Sequence, residues 1–145
     1  MEITLKNIKV AAFLSQETVA FSATVFIDGK RVGTVDNAGQ GGGNNYNFDY
    51  PKLLEAAEEF VKTQPRVFPE FENDLDSYIG KLVDDHENKK RLARICKKKT
   101  LFLLEGDDES KGWRTIKHPY GEAVQAFLDK NYGSKVARIL NKEIA

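Results

Sequence analysis

Cysteine is nearly absent. Cys96 is the only one in 145 residues, so no intrachain disulfide can form and a small secreted scaffold held by bridges is excluded. With two histidines besides, and no CxxC or HxxxH spacing, the chain has too few suitable ligands for a zinc site, and no metal or other cofactor is expected. No apolar run reaches the roughly 18 residues that a membrane-spanning helix needs. Met1–Val10 alternates without an apolar signal core, and neither end carries a lipidation motif, so the expectation is a cytoplasmic protein with no membrane partner. Net charge is also missing. The 22 lysines and arginines equal the 22 carboxylates, which argues against a non-specific hold on nucleic acid by the molecule as a whole. Only 4 prolines and 11 glycines, with 41% apolar and 30% charged residues, rule out collagen, a coiled-coil rod and a mostly disordered chain.

What remains is enough apolar material for one core, arranged in a readable order. Phe21, Ala23, Val25 and Ile27 alternate at the period of a strand with one buried face. Asp28-Gly29 then suits a type I′ turn, because both central residues of that turn need positive φ. The pattern predicts a hairpin of Phe21–Ile27 with Lys30–Val35, with Ile27 opposite Lys30, Phe26 opposite Arg31 and Val25 opposite Val32. Pro51 fits the first position of a helix, and Leu53, Leu54, Ala57, Phe60 and Val61 form its apolar stripe up to Gln64-Pro65. A second, longer helix is expected from Asn73 or Asp74, breaking near Asn88 or continuing through Leu92, Ile95 and Cys96. Thr100–Glu105 is apolar on both faces and reads as a covered strand, with Trp113–Lys117 as its partner. Glu122–Asn131 reads as a short helix with Ala123, Val124, Phe127 and Leu128 inward, and Val136–Leu140 as a last strand or helical turn. Strands and helices that alternate as hairpins and single helices imply an α+β domain over 1–145 and not a parallel sheet. A seam at 65–71 would divide it into lobes 1–64 and 72–145.

Charge is segregated along the chain. Residues 51–75 hold Lys52, Lys62 and Arg66 against six carboxylates, whereas residues 76–100 hold eight cations against four. Lys89, Lys90, Arg91, Arg94, Lys97 and Lys98, followed by Lys99, form the densest run, and with Lys30 and Arg31 they are the candidates for binding nucleic acid or a nucleotide. The ordinary reading of that run is a solvated helix end whose cations offset the dipole. Gly39–Asn45 is the one low-complexity stretch. It lacks the Lys of a phosphate-binding loop and the third glycine of a dinucleotide fingerprint, so its options are a mobile surface loop or one that closes on a partner. Gly41, Gly42, Gly43 and Asn44, together with Tyr46, Phe48 and Trp113, are the candidate partner-binding residues. Tyr46, Phe48 and Tyr50 alternate with polar residues, which suits either a short strand or a stacking surface. Trp113 with Tyr120 and Phe102 suits a hot-spot patch or a cover for the strand behind it.

Other titratable groups have weaker claims. His86 after Asp84-Asp85 has the makings of a general base, but no nucleophile stands at a useful spacing. His118-Pro119 reads as turn chemistry. Lysines beside Cys96 would lower its pKa, although its spacing from Leu92 and Ile95 says core. Glu105 with Asp107-Asp108-Glu109 lacks the spacing of a calcium loop and reads as a polar hairpin tip.

MEITLKNIKVAAFLSQET, FSATVFIDGKRVGTVDNAGQGG and KKKTLFLLEGDDESKGWRTIKHPY resemble small hypothetical proteins found in phages, prophages and plasmids. The resemblance implies an accessory or counter-defence factor that binds a host or phage protein, without assigning a role to any residue. Phe21–Lys62 also resembles part of a double-stranded-RNA-binding domain. Where such domains place lysines ahead of their last helix, this chain reads Asn-Phe-Asp-Tyr-Pro-Lys-Leu. The expected function is therefore non-enzymatic binding of a protein partner, with nucleic-acid binding through 89–99 as the alternative.

Overall fold

The computed structural model describes residues 1–144. It is an α+β fold with two antiparallel sheets, one in each of two compact units. The first unit runs from Met1 to His86 and the second begins at Glu87. The division therefore falls within a helix and not at the expected connector 65–71, because that connector is tied down from below, as described next.

In the first unit, β1 (Ile3–Val10), β2 (Phe21–Ile27), β3 (Lys30–Asn37) and β4 (Asn45–Phe48) pair in that order. The hairpin turn has the expected geometry, with φ of 51° at Asp28 and 82° at Gly29. The register departs from expectation one step later: Val25 faces Gly33, so Val32 is an extra residue that bulges β3. The cause is β4. A Cβ on Gly33 would stand 2.2 Å from the Asn47 carbonyl oxygen, so only glycine lets β4 approach there. Alternate residues of the sheet, with Val25 and Val35 each 1% exposed, pack on α1 (Pro51–Val61) and on Leu75, Ile79 and Val83 of α2 (Leu75–Cys96). Each such side chain, fully buried, contributes roughly 1.5–3 kcal/mol. Asp74 caps α2 by accepting from the Ser77 N–H at 2.7 Å, and α2 continues to Cys96 without a break at Asn88.

The connector between α1 and α2 hangs on Asn73, which is 4% exposed. Its Nδ2 donates to the carbonyls of Val61 (2.9 Å), Gln64 (3.2 Å) and Pro65 (3.0 Å), and its Oδ1 accepts from the Val67 N–H (2.9 Å). One amide thus satisfies the carbonyl end of α1 and the start of the connector.

The second unit has the sheet β6-β5-β7, with β5 (Thr100–Leu104) central, β6 (Arg114–Ile116) and β7 (Val136–Ile139). A central strand explains the continuous apolar run. Helix α3 spans Glu122–Asn131, the expected bounds, but it buries only Val124 and Leu128. Ala123 and Phe127 are exposed, since a three-stranded sheet is too narrow to cover the whole stripe. The last segment is both strand and helix, with α4 (Leu140–Glu143) following β7. Asn141 repeats the device of Asn73: Nδ2 donates to the carbonyls of Cys96 (3.1 Å) and Lys99 (2.8 Å), and Oδ1 accepts from the Leu101 N–H (2.9 Å).

Candidate functional site: an acidic cleft

The glycine-rich loop after β3 is held, residue by residue, by its neighbours. Asn37 is the hub. Its Oδ1 accepts from the Gly39 N–H (2.8 Å) and the Thr18 hydroxyl (2.8 Å), while its Nδ2 donates to the Gly42 carbonyl (3.1 Å) and Asn44 Oδ1 (3.0 Å). The Gly39 carbonyl accepts from the N–H groups of Gln16 (2.9 Å) and Glu17 (3.1 Å). Gly39 itself, at φ +81°, leaves no room for a Cβ, which would lie 2.6 Å from the Leu14 carbonyl oxygen.

The far end of the loop is bound to α2. The Asn44 N–H donates to Asp76 Oδ2 at 3.3 Å, and the Tyr46 hydroxyl donates to Asp76 Oδ1 at 2.6 Å. Burial and the adjacent Asp76 carboxylate push the Tyr46 phenol well above its ordinary pKa, so it stays a donor. The backbone N–H groups of Gly39 and Asn44 are thus engaged within the protein, and that of Gly41 faces the Thr18 hydroxyl at 3.3 Å.

These ties enclose an open cleft of about 580 Å³ that lies wholly within the first unit. Gly42, Gly43 and Asn44 form one wall, Glu17–Val19 another, and α2 the floor, through Asp76, Gly80 and Asp84 on successive turns. Asp74 and Glu17 bring the carboxylates to four; among the described residues the lining contains no lysine, arginine, histidine or cysteine. None of the four has an ion-pair partner among the described residues. Val19 and Phe68, 41% and 55% exposed, supply apolar surface at the same cleft. Among the described residues no group of three or more His, Cys, Asp or Glu is placed to hold a metal ion. Separated carboxylates beside apolar surface suit the ammonium or guanidinium of a long side chain, with its stem on the apolar part.

The residues singled out from sequence are dispersed. Gly42, Gly43 and Asn44 line the cleft, while Gly41 sits at its edge over Glu17. Tyr46 stands behind the wall and fixes Asp76; Phe48, edge-on to Tyr46 at 5.9 Å, packs against the core. Trp113 belongs to the second unit, half-buried with the Arg138 guanidinium 5.0 Å from its ring, while Phe102 is 3% exposed and cannot join it and Tyr120 in a surface patch. Lys30 and Arg31 lie on β3 of the first unit, with Arg31 3.7 Å from Asp49, whereas Lys89, Lys90, Arg91, Arg94, Lys97 and Lys98 belong to the second. Burial pushes the Cys96 thiol up, against the lowering that its lysines suggested. Asp107 and Glu109 are engaged by Arg114 and Arg138, both at 2.7 Å, which makes the hairpin tip structural. Glu17, Val19, Phe68, Asp76 and Gly80 were not anticipated, and Asp84 was considered only as a partner of His86, not as a cleft residue. The signal for three of them was the i, i+4, i+8 spacing of Asp76, Gly80 and Asp84 on one helix face.

Comparison with protein-family models, curated proteins and solved structures gave no match.

Proposed function

We propose that this chain works by binding and not by catalysis, and that its acidic cleft receives a lysine- or arginine-bearing segment of a partner protein. The observation that carries the reading is Gly80. A glycine in a helix interior costs about 0.5–1 kcal/mol relative to alanine, and packing gives no reason for it here, since nothing lies within 4 Å of the Cβ position. Its one evident effect is to keep the floor open between Asp76 and Asp84. Exposed apolar surface favours a protein over a small cation: of the large apolar side chains left exposed among the described residues, all but Phe127 belong to this unit. The resemblance to phage, prophage and plasmid products favours a host or phage protein as the partner, with counter-defence as the setting.

The test is a tagged pull-down from a bacterial lysate, with and without nuclease, comparing the native chain with Asp84→Lys. Asp84 is exposed, so its replacement leaves the core intact. The expected result is a protein retained in both nuclease arms and reduced at least tenfold by Asp84→Lys. Equal retention by the two chains, or no protein retained after nuclease, overturns the reading.

A further inference from the structure

The zero net charge is the sum of two strongly charged units. The first carries 14 carboxylates and 8 lysines or arginines; the second carries 14 lysines or arginines and 8 carboxylates. Half of the second unit's cations stand in the single segment Lys89–Lys99, and all seven are exposed. Elsewhere in that unit Arg114 and Arg138 are held by carboxylates at 2.7 Å. Within the segment, among the described residues, only Lys90 has one within 4 Å, Glu87 at 3.8 Å, and an exposed pair of that kind is worth at most about 1 kcal/mol. The carbonyl end of a helix offsets about half a charge, and the Cys96 carbonyl is already met by Asn141. Structural demand therefore accounts for about two of the seven cations.

We propose that this segment binds the phosphate backbone of double-stranded nucleic acid. Lys90, Arg91 and Arg94 stand on the last turns of α2, and Lys97 and Lys98 in the turn that ends it, while Leu92, Ile95 and Cys96 are half-buried. The helical part from Lys89 to Cys96 is about 10 Å long at 1.5 Å per residue, and with the turn beyond it the segment reaches roughly three or four phosphates of one strand at 3.4 Å each. The segment contains no aromatic residue, so it offers no platform for unstacked bases and favours a duplex over a single strand. It also exposes no large apolar side chain, which a helix lying on a lipid surface requires. Contacts from lysine and arginine to phosphate alone are independent of sequence.

Fluorescence anisotropy with labelled duplexes of two unrelated sequences, titrated with salt, tests this. The native chain should bind both alike, and log K should fall against log salt with a slope of about −3 to −4. Arg94→Gln/Lys97→Gln should shrink that slope by about 2, and Lys90→Gln/Lys98→Gln, in the same segment, should do the same should the first pair melt early. Lys111→Gln/Lys130→Gln, exposed cations of the same unit outside the segment, should leave it unchanged. The proposal is overturned by absence of duplex binding, by equal slopes for native and segment variants, or by an equal loss in the Lys111/Lys130 control. Tighter binding to single strands, or binding to phosphatidylserine vesicles but not to the duplex, overturns it as well.

Discussion

Gly80→Ala should stabilise the first unit while narrowing its cleft. Gly80 is well inside the 22-residue helix α2, and a methyl group there meets no atom within 4 Å. The gain is then the propensity difference alone, about 0.5–1 kcal/mol, arising from the reduced freedom of the unfolded chain. For a unit of this size each kcal/mol moves Tm by about 4–8 °C, so melting followed by circular dichroism should rise by between about 2 and 8 °C. Gly80→Leu keeps the better helix former but sets four carbons between Asp76 and Asp84, whose Cβ atoms flank the site at about 5–6 Å. Partner retention should fall at least tenfold, equivalent to about 1.4 kcal/mol, in a variant that still melts no earlier than the native chain. A Tm lowered by Gly80→Ala would mean that the floor is packed and not open. A folded Gly80→Leu protein that retains the partner as well as native would refute the assignment of the cleft.

Two further outcomes follow from the hydrogen bonds of the first unit. Asn73→Ala removes the donor to three carbonyls and the acceptor for Val67, and urea unfolding should show a loss of about 2–4 kcal/mol; Asn73→Asp should cost more at neutral pH than at pH 4, where its carboxyl can take up a proton. Tyr46 has its pKa raised in the fold, so its contribution is complete below the ordinary tyrosine value and declines as pH rises above about 10, where only the unfolded chain ionises. The stability gap between native and Tyr46→Phe should therefore narrow from pH 8 to pH 11, and a gap that stays constant would contradict the environment described for this phenol.

Local chemistry was legible from sequence; convergence between distant segments was not. The Asp28-Gly29 turn, Pro51 at the head of α1 and the bounds of α3 each depend on residues within a few positions, and each stands where the pattern placed it. The bulge at Val32 and the close approach of β4 to Gly33 escaped because β4 comes from fifteen residues downstream of Gly33. Phe127 shares the inward stripe of α3 yet is 49% exposed, because a stripe records which residues are apolar and not how wide the sheet beneath them is. The cleft draws on the β1–β2 connection, the glycine loop, Phe68 and α2, and only the glycine loop stood out as a sequence. The basic segment was fully legible as charge, but not that most of it stands without carboxylate partners among the described residues.

Asn73 and Asn141 carry a consequence for how mutational data on this chain will be interpreted. Each occupies a position where one small side chain must donate to two or more carbonyls and accept once, and no other residue of that size has this inventory. A saturation scan scored by activity in cells should find both positions nearly intolerant of change. Exposed sites such as Asp84 or Lys97 should accept many residues with graded loss. Ranked by intolerance alone, the two asparagines would be taken for the functional centre, although their work is to close the carbonyl ends of two helices. Scoring abundance beside activity separates the two classes: the asparagines should lose both together, and the cleft and basic-segment residues only the second.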